Sequence, residues 1–285
     1  MKNKAILQVN LAVLLFGCAG LFAKWIGISS MGITFFRVVF SSITLMSFCF
    51  LAKRDVRLKE KMDLLWFFIC GAILALHWIT FLGAMQISTV AIGSISFSTY
   101  PLMLAFLEPM VFHEKPEKED FLAAVLVVLG VLITIPKFSV ENNMFQGVLV
   151  GLLSAITYAV LSMANRRFTK RYEGEVISLY EQGIAALVMI PVILKFPVHP
   201  TAHDMVLLVI LGVFSTAIAH TLFISSLSKI SAQTAGIVAS SESVYGIVLA
   251  FLVLHEVPSV REIVGAVLII GVVIVTQIRK AKEHD

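Results

Sequence analysis

The chain has 285 residues, 59% hydrophobic and only 14% charged, a balance that excludes a water-soluble domain covered in polar side chains. The 22 Lys and Arg against 18 Asp and Glu give a net charge of +4. These basic residues stand in short clusters between apolar runs, so they indicate membrane orientation and not nucleic-acid binding. The three cysteines lie inside apolar stretches without metal-ligand spacing, and neither a metal nor a cofactor is predicted.

Ten stretches are long enough to cross a bilayer, which needs roughly 20 apolar residues as helix because no backbone group can stay unpaired in lipid. Their apolar residues run all round the helix, unlike the stripe of a soluble amphipathic helix. The chain is therefore predicted to be an all-α integral membrane protein whose main surroundings are the lipid bilayer. The predicted spans are residues 5 to 26, 31 to 52, 63 to 84, 88 to 112, 117 to 136, 146 to 166, 176 to 196, 204 to 227, 231 to 254 and 259 to 278.

Basic residues between the spans predict the orientation. Seventeen of the 22 Lys and Arg fall on the side that holds the two termini, four fall on the other side, and Arg37 lies inside the second span. Because positive charge accumulates in cytoplasmic loops, both termini are expected in the cytoplasm. We expect a multi-pass protein of the cytoplasmic (inner) membrane.

The chain aligns with itself at an offset of 142 residues. Without a gap, this register sets residues 78 to 134 on 220 to 276, and it matches Tyr100 with Glu242 and Trp78 with His220. Each half holds five spans, an odd number, so the second half must begin on the opposite side of the membrane. We predict two inverted five-helix repeats, residues 1–138 and 139–285, a construction common in secondary transporters.

Several short motifs carry a family resemblance. They are Ser98 to Leu102, Glu108-Pro109, His113 to Pro116, and the pair Glu242 and Glu256. With them the chain resembles the paired EamA domains of the drug/metabolite transporter superfamily over almost its whole length. The resemblance implies ten spans, cytoplasmic termini and transport of amino acids or other small metabolites. The chain departs from the family pattern in having Phe16-Gly17 in the first span and Glu242-Ser243 in the ninth.

Glu242 is the strongest candidate for a functional group. A charged side chain at mid-membrane costs on the order of 3 kcal/mol, so it indicates a partner, a water-filled cavity or a function. We expect Glu242 and its repeat partner Tyr100 at bilayer mid-depth, with Ser240 in the same substrate-binding cavity. Glu242 would bind a substrate amine or hydroxyl, or carry a proton; the alternative is a protonated carboxyl bonded across a helix contact.

His77, Trp78 and His220 form a second candidate cluster in the third and eighth spans. A histidine can bond a substrate or titrate near neutral pH, but a lone buried histidine also serves as a structural group. Trp78 would supply an aromatic wall or simply pack. We include all three among the substrate-binding candidates.

Arg37 and Pro101 are candidates for a gating or structural role. The resemblance marks a second-span arginine as a family feature, and Arg37 matches it; its long stem would snorkel to the outer surface or meet carbonyl groups near Lys24. Arg37 and Glu181 are expected near opposite sides of the membrane and therefore unpaired. Pro101 should kink the fourth span because it clashes with the carbonyl of Phe97.

The sequence thus favours a secondary transporter, with export the preferred direction, for small polar metabolites such as amino acids, working by alternating access and open to proton coupling. An uptake carrier for a nucleoside, vitamin or sugar is the first alternative, and a membrane sensor or scaffold is the second. No hydrolase or phosphate-binding motif is present, so no enzyme is predicted. Gly147 and Gly151 permit close helix packing, either inside one chain or in a homodimer.

Overall fold

The computed structural model describes residues 2–112, 118–230, 235, 238–239 and 241–283. Throughout these ranges the regular structure is helical, without a strand, which agrees with the predicted all-α class. The helices are α1 (Lys2–Gly17), α2 (Ala19–Trp25), α3 (Ser30–Leu51), α4 (Lys61–Ile87), α5 (Val90–Phe97), α6 (Tyr100–Phe112), α7 (Lys118–Thr134), α8 (Asn143–Phe168), α9 (Gly174–Lys195), α10 (Ala202–Gly212), α11 (Ala219–Leu227), α12 (Ser241–Leu249) and α13 (Val260–Glu283); π-helical turns occupy Val213–Ile218 and Ala250–Leu254.

The helices identify a multi-pass membrane protein. Within the described residues, six helical stretches are long and apolar enough to cross a bilayer. Shorter apolar helices occupy Val90–Leu104, Val125–Thr134 and Ser241–Leu254. Helical residues occur in each predicted span, and the count of ten complete spans stays a prediction. The six long stretches are Lys4–Trp25, Ser30–Leu51, Lys61–Ile87, Asn143–Phe168, Gly174–Lys195 and Ala202–Leu227.

Polar residues begin several of these helices at the ends of the apolar stretches. The Ser29 hydroxyl accepts a hydrogen bond from the Gly32 amide at the start of α3, and Asn142 accepts two at the start of α8. Thr201 and Asp204 form a reciprocal capping box on α10. Such caps satisfy amide groups that have no partner inside the helix. The boundaries of the apolar stretches and the helix ends therefore nearly coincide.

The stretch predicted as one helix from 88 to 112 is interrupted. Helix α5 ends at Phe97, Ser98 and Thr99 form a turn, and α6 begins at Tyr100. Pro101 follows this turn directly, where it has no amide hydrogen to donate to a preceding carbonyl. The interruption lies beside the polar centre of the bundle described below.

Small residues set the closest helix contacts. A side-chain carbon added at Gly151 of α8 would lie 2.6 Å from the Ser96 Cβ of α5, and one at Gly71 of α4 would lie 2.8 Å from the Glu181 carbonyl of α9. Gly147 likewise faces Ser88. The Gly147 and Gly151 pair is therefore used for packing inside the chain, which removes it as an argument for a homodimer.

One end of the bundle is closed by polar contacts between the two halves of the chain. Asp63, 1% exposed at the start of α4, accepts hydrogen bonds from Arg171 (2.6 Å) and from the Tyr172 hydroxyl (2.5 Å). Arg54 forms ion pairs with Glu173 (2.8 Å) and Glu175. The loop from 52 to 60 and the loop from 169 to 173 are thus held together.

Aromatic rings pack behind these contacts. Phe67 of α4 stacks on Phe168 of α8, with 4.3 Å between ring centroids, and on Tyr180 of α9, with 4.9 Å. The Tyr180 hydroxyl donates to the Val56 carbonyl at 2.6 Å. This layer fills the space between the halves at the same end of the bundle.

The opposite end also carries contacts between the halves. The Gly27 amide donates to Asp204 at 3.0 Å, and the Val90 amide donates to Glu256 at 3.0 Å. The Thr89 hydroxyl donates to Glu262 at 2.8 Å. Contacts between the two halves of the chain thus hold the bundle together at both ends.

We predict that Asp63→Asn lowers the thermal midpoint of the detergent-solubilised protein, because the charge that strengthens two hydrogen bonds is lost, at a cost of about 1–2 kcal/mol. The same change at Asp55, an exposed residue paired with Lys59 on the same loop, should leave the midpoint nearly unchanged. Equal midpoints for wild type and Asp63→Asn would contradict the assignment of these contacts as the closure.

The closure should also weaken in alkaline solution. Burial, followed by the hydrogen bond to Asp63, raises the pKa of Tyr172 above its ordinary value of 10.0. The stabilisation from this tyrosine is complete below that ordinary value and is lost as the pH rises through the raised pKa. In Tyr172→Phe, the alkaline part of the decline in thermal midpoint should be smaller than in wild type.

Candidate functional site

A small cavity lies in the interior of the bundle. Its volume is about 20 Å³, about enough for a single water molecule, so a larger ligand requires the helices to separate. Charged, imidazole and aromatic groups line it together, which is the chemistry expected of a site for a small polar molecule. The lining residues are Phe16, Ala19, Arg37, His77, Trp78, Phe81, Phe97, Tyr158, His220 and Glu242.

Arg37 is the most deeply buried charge in this cavity, with 1% of the residue exposed. Its Nε donates to the Thr216 hydroxyl at 2.9 Å and its Nη2 to the Ser215 carbonyl at 3.3 Å. The guanidinium carbon lies 4.1 Å from the centre of the Trp78 ring, a cation–π contact. The expectation that Arg37 snorkels to the outer surface or meets groups near Lys24 is wrong, because the π-helical turn after α10 and Trp78 of α4 supply partners inside the bundle.

The π-helical turn Val213–Ile218 makes this arginine site possible. Widening the helix by one residue in this turn leaves the Ser215 carbonyl available to Arg37, and the Thr216 hydroxyl donates back to the Leu211 carbonyl at 2.8 Å. Gly212 permits the approach of α3, since a side-chain carbon there would lie 2.7 Å from the Phe40 Cβ. The sequence analysis missed Ser215 and Thr216, although two adjacent hydroxyls in an apolar span were a signal.

Glu242 lines the same cavity from α12 and is 7% exposed. Across the described ranges, no side chain lies within hydrogen-bond or ion-pair distance of its carboxylate. Ser243, the next residue, bonds to Ser98 and to the Ser94 carbonyl, the latter at 2.7 Å, and so joins α12 to α5. The Glu242 side chain therefore lines the same cavity as Arg37 without being paired to it.

His77 and Trp78 enter the cavity from α4. The Nδ1 atom of His77 lies 3.1 Å from the Ser154 carbonyl oxygen, which can only accept, so this contact favours a proton on Nδ1. The His77 ring also packs on Tyr158, with 4.7 Å between centroids. Trp78, 4% exposed, meets the His220 ring at 5.7 Å and lies under Arg37.

His220 bonds to a residue that the sequence analysis left out of the site. Its Nε2 lies 3.0 Å from the Oε2 atom of Glu181, a residue of α9 with 0% exposure. The Asn165 amide of α8 donates to the same oxygen at 3.3 Å. Arg37 and Glu181 therefore have separate partners, as expected. The signal for Glu181 was available, since an ionisable residue inside an apolar span marks a functional candidate.

Two further candidates lie behind the cavity wall. The Tyr100 ring stacks on Phe97 with centroids 5.0 Å apart and contacts Tyr158 edge-on at 5.1 Å. Its hydroxyl has no hydrogen-bond partner in the described part of the chain. Tyr100 thus supports two lining aromatics and is not itself a lining residue. Ser240 and the motif from 113 to 116 lie outside the described residues.

A larger crevice of about 470 Å³ lies between α6, α7 and α8. Apart from Thr99 its lining is apolar, including Phe106, Val131 and Phe145. It lacks the convergent polar groups that orient a polar ligand, and lipid is the ordinary neighbour of such a surface. The central cavity is therefore the better candidate for the functional site.

A bundle of apolar helices around an interior cavity lined by charged and aromatic residues is an architecture found in membrane transporters. The sequence profile of the EamA-like transporter family matches residues 3–135 and 145–277, one match in each half. The chain therefore belongs to the EamA-like transporter family, whose members are transporters and not enzymes.

Relatives of this chain are named as transporters. It is 21% identical to an uncharacterized transporter, YxxF, of Bacillus subtilis, over 98% of this chain and 91% of the relative. It is 24% identical to an S-adenosylmethionine uptake transporter of Rickettsia felis (87% and 83% covered), and 28% identical to the pseudopaline exporter CntI of Pseudomonas aeruginosa (70% of each). A protein of known crystal structure is 16% identical in sequence to this chain, and the two structures align over the full length of both chains with a TM-score of 0.73. This likeness shows the fold alone.

We predict that Thr216→Val destabilises the protein, because this nearly isosteric change removes the acceptor for Arg37 and leaves a buried charged donor without its partner, at a cost of about 1–3 kcal/mol. Thr44→Val on α3 is the matched control, since the Thr44 hydroxyl bonds only to the Phe40 carbonyl of its own helix. Thermal melting in detergent gives the comparison. A Thr216→Val midpoint no lower than that of Thr44→Val would refute the assigned role.

Proposed function

We propose that this protein is a secondary transporter that moves small polar metabolites such as amino acids across the cytoplasmic membrane by alternating access. The observation that carries the proposal is the small interior cavity, which an arginine and a glutamate line together with aromatic rings. Family membership supports transport as such, and the cavity chemistry supports the substrate class.

The positive charge of Arg37 and the negative charge of Glu242 suit a substrate that carries both a negative and a positive group. Arg37 uses Nε and Nη2 for bonds within the protein, while its buried Nη1 has no partner among the described residues. That group can bind a substrate carboxylate, and the Glu242 carboxylate can bind an ammonium group. Trp78, Phe81 and Phe97 provide apolar walls for a side chain. An amino-acid group meets these requirements better than an uncharged sugar.

Alternating access is supported by the arrangement of the two halves. Contacts between the halves hold both ends of the bundle together, and releasing one end at a time would open the cavity to one side only. The ring contact between Trp78 and His220, which the 142-residue offset matches, agrees with two inverted repeats that meet at the cavity. The proposed repeats are residues 1–138 and 139–285.

The direction of transport and the substrate need direct measurement. One relative is named as an uptake transporter and another as an exporter, so the names favour neither direction. Export remains our proposal, with uptake of a nucleoside, vitamin or sugar as the alternative. S-adenosylmethionine belongs in any test panel because it carries an amino-acid group and because a relative is named for it.

We predict saturable flux in proteoliposomes for at least one compound of a panel containing amino acids, S-adenosylmethionine, nucleosides and sugars. Glu242→Gln should reduce flux at least about tenfold if an ammonium–carboxylate contact is lost, since a charge-assisted bond contributes about 1.5–3 kcal/mol. Thr44→Val, which lies away from the cavity, is the control. Absence of flux for every compound would count against transport, while equal flux in Glu242→Gln would remove Glu242 from the binding site.

We propose that both termini lie in the cytoplasm, on the side closed by Asp63 and Arg171. A carboxyl-terminal green fluorescent protein fusion should then fluoresce in cells, and a carboxyl-terminal alkaline phosphatase fusion should be inactive, because positive charge holds this end inside. A fusion after Pro200, in the loop before α10, should give the reverse pattern. The reverse result at both sites would overturn the proposed orientation.

A further inference from the structure

We propose that the Glu181–His220 pair is a proton-binding site that couples transport to protons, distinct from the substrate-facing carboxylate of Glu242. The inference builds on the proposed transporter function and assigns the coupling ion and its binding residues. It rests on the contacts of Glu181, the charges around it and the position of His220.

Glu181 sits in the interior behind the cavity. It is 0% exposed and is not among the cavity-lining residues, whereas its partner His220 is one of them. Its Oε2 atom is shared between His220 Nε2 at 3.0 Å and the Asn165 amide at 3.3 Å. Its Oε1 atom has no hydrogen-bond partner in the described residues.

Charge balance makes this pair suited to hold one proton. An ionised carboxylate beside a neutral imidazole leaves a net charge of −1 in the interior, which costs several kcal/mol without a fully bonded partner. One added proton brings the net charge to zero, whether it sits on the carboxylate or on the imidazole. The proton therefore belongs to the pair as a unit. A hard metal cation would require several oxygen ligands, but an imidazole nitrogen already occupies one side of this carboxylate.

Among the described residues, the helices around Glu181 bring no positively charged group other than His220 within ion-pair distance of its carboxylate. Helix α4 contributes the Cys70 thiol, and α8 contributes Asn165 and the Tyr158 phenol, groups that are neutral near pH 7. Helix α11 contributes His220 itself. From α3 the charged group is Arg37, whose guanidinium is bound to Thr216 and lies over Trp78. On α9 itself, Glu175 is paired with Arg54 and the neighbouring Gln182 is uncharged.

The position of the His220 ring links the Glu181–His220 pair to the substrate cavity. The His220 ring lies between the cavity and Glu181, so a proton from cavity water reaches the carboxylate through the imidazole. The same ring meets Trp78 at 5.7 Å, and Trp78 carries Arg37 on its face. Proton binding is thereby placed next to the groups that we assign to the substrate. In one cycle the pair takes up a proton while the cavity opens to one side and releases it after opening to the other; only N–H and O–H bonds form and break.

Infrared difference spectroscopy tests proton binding without any substrate. The full chain, reconstituted in liposomes, is titrated with acid while the C=O stretching band of protonated carboxyl groups is recorded. We expect a band that titrates reversibly, is absent in Glu181→Gln and persists in Glu242→Gln. His220→Gln should shift the pH of its titration, because the partner that shares the proton is lost. A titrating band unchanged in both Glu181→Gln and His220→Gln would overturn the proposal.

A transport measurement separates proton coupling from a structural role. For the panel compound that shows flux, Glu181→Gln should retain substrate exchange at equal pH on both sides, which needs no net proton movement. Accumulation driven by a pH gradient should fall to the level seen without a gradient. The adjacent variant Gln182→Met, which also changes a buried polar residue of α9, should keep both activities. Normal gradient-driven accumulation in Glu181→Gln would refute coupling through this pair even though transport itself was demonstrated.

If no compound is transported, the proposed function fails while the infrared result still decides whether the pair binds a proton. If Glu181→Gln does not fold, His220→Gln carries the infrared measurement, and a carboxyl titration unchanged in that variant would overturn the proposal.

Discussion

A guanidinium in the interior of a membrane protein must find its hydrogen bonds within the protein, because neither lipid nor bulk water can supply them. Arg37 meets this constraint with a hydroxyl, a carbonyl and an aromatic face from two other helices. Those partners require α3 to lie against Gly212 and require the helix after α10 to widen into a π-helical turn. The packing of α3 against α10 and the π-helical turn therefore follows from the buried position of the Arg37 guanidinium.

The same constraint separates the two buried carboxylates by function. Glu242 lines the cavity together with Arg37, whereas Glu181 is not a lining residue and bonds to the lining residue His220. In the function that we propose, Glu242 meets the substrate and the Glu181–His220 pair holds the proton at a neighbouring position.

The polar contacts at the two ends differ in kind. At one end, arginines and carboxylates cross between loops and are joined by a layer of stacked rings. At the other, carboxylates meet backbone amides and one hydroxyl. Both sets connect the halves of the chain at the bundle ends, and contacts of this type can be broken and re-formed at small net cost.

The sequence by itself determined the helical class, the positions of the apolar helices, the membrane setting and the charged and imidazole residues of the cavity, because burial in lipid leaves a direct record in composition and spacing. Glu242, His77, Trp78 and His220 were chosen for their polarity or shape in apolar spans, and all four line the cavity. Only the tertiary structure decided which groups pair. Arg37 turns inward to Thr216, Tyr100 stands behind the wall, and Glu181 joins His220, since partners from distant helices depend on helix rotation and close contact that no single span encodes.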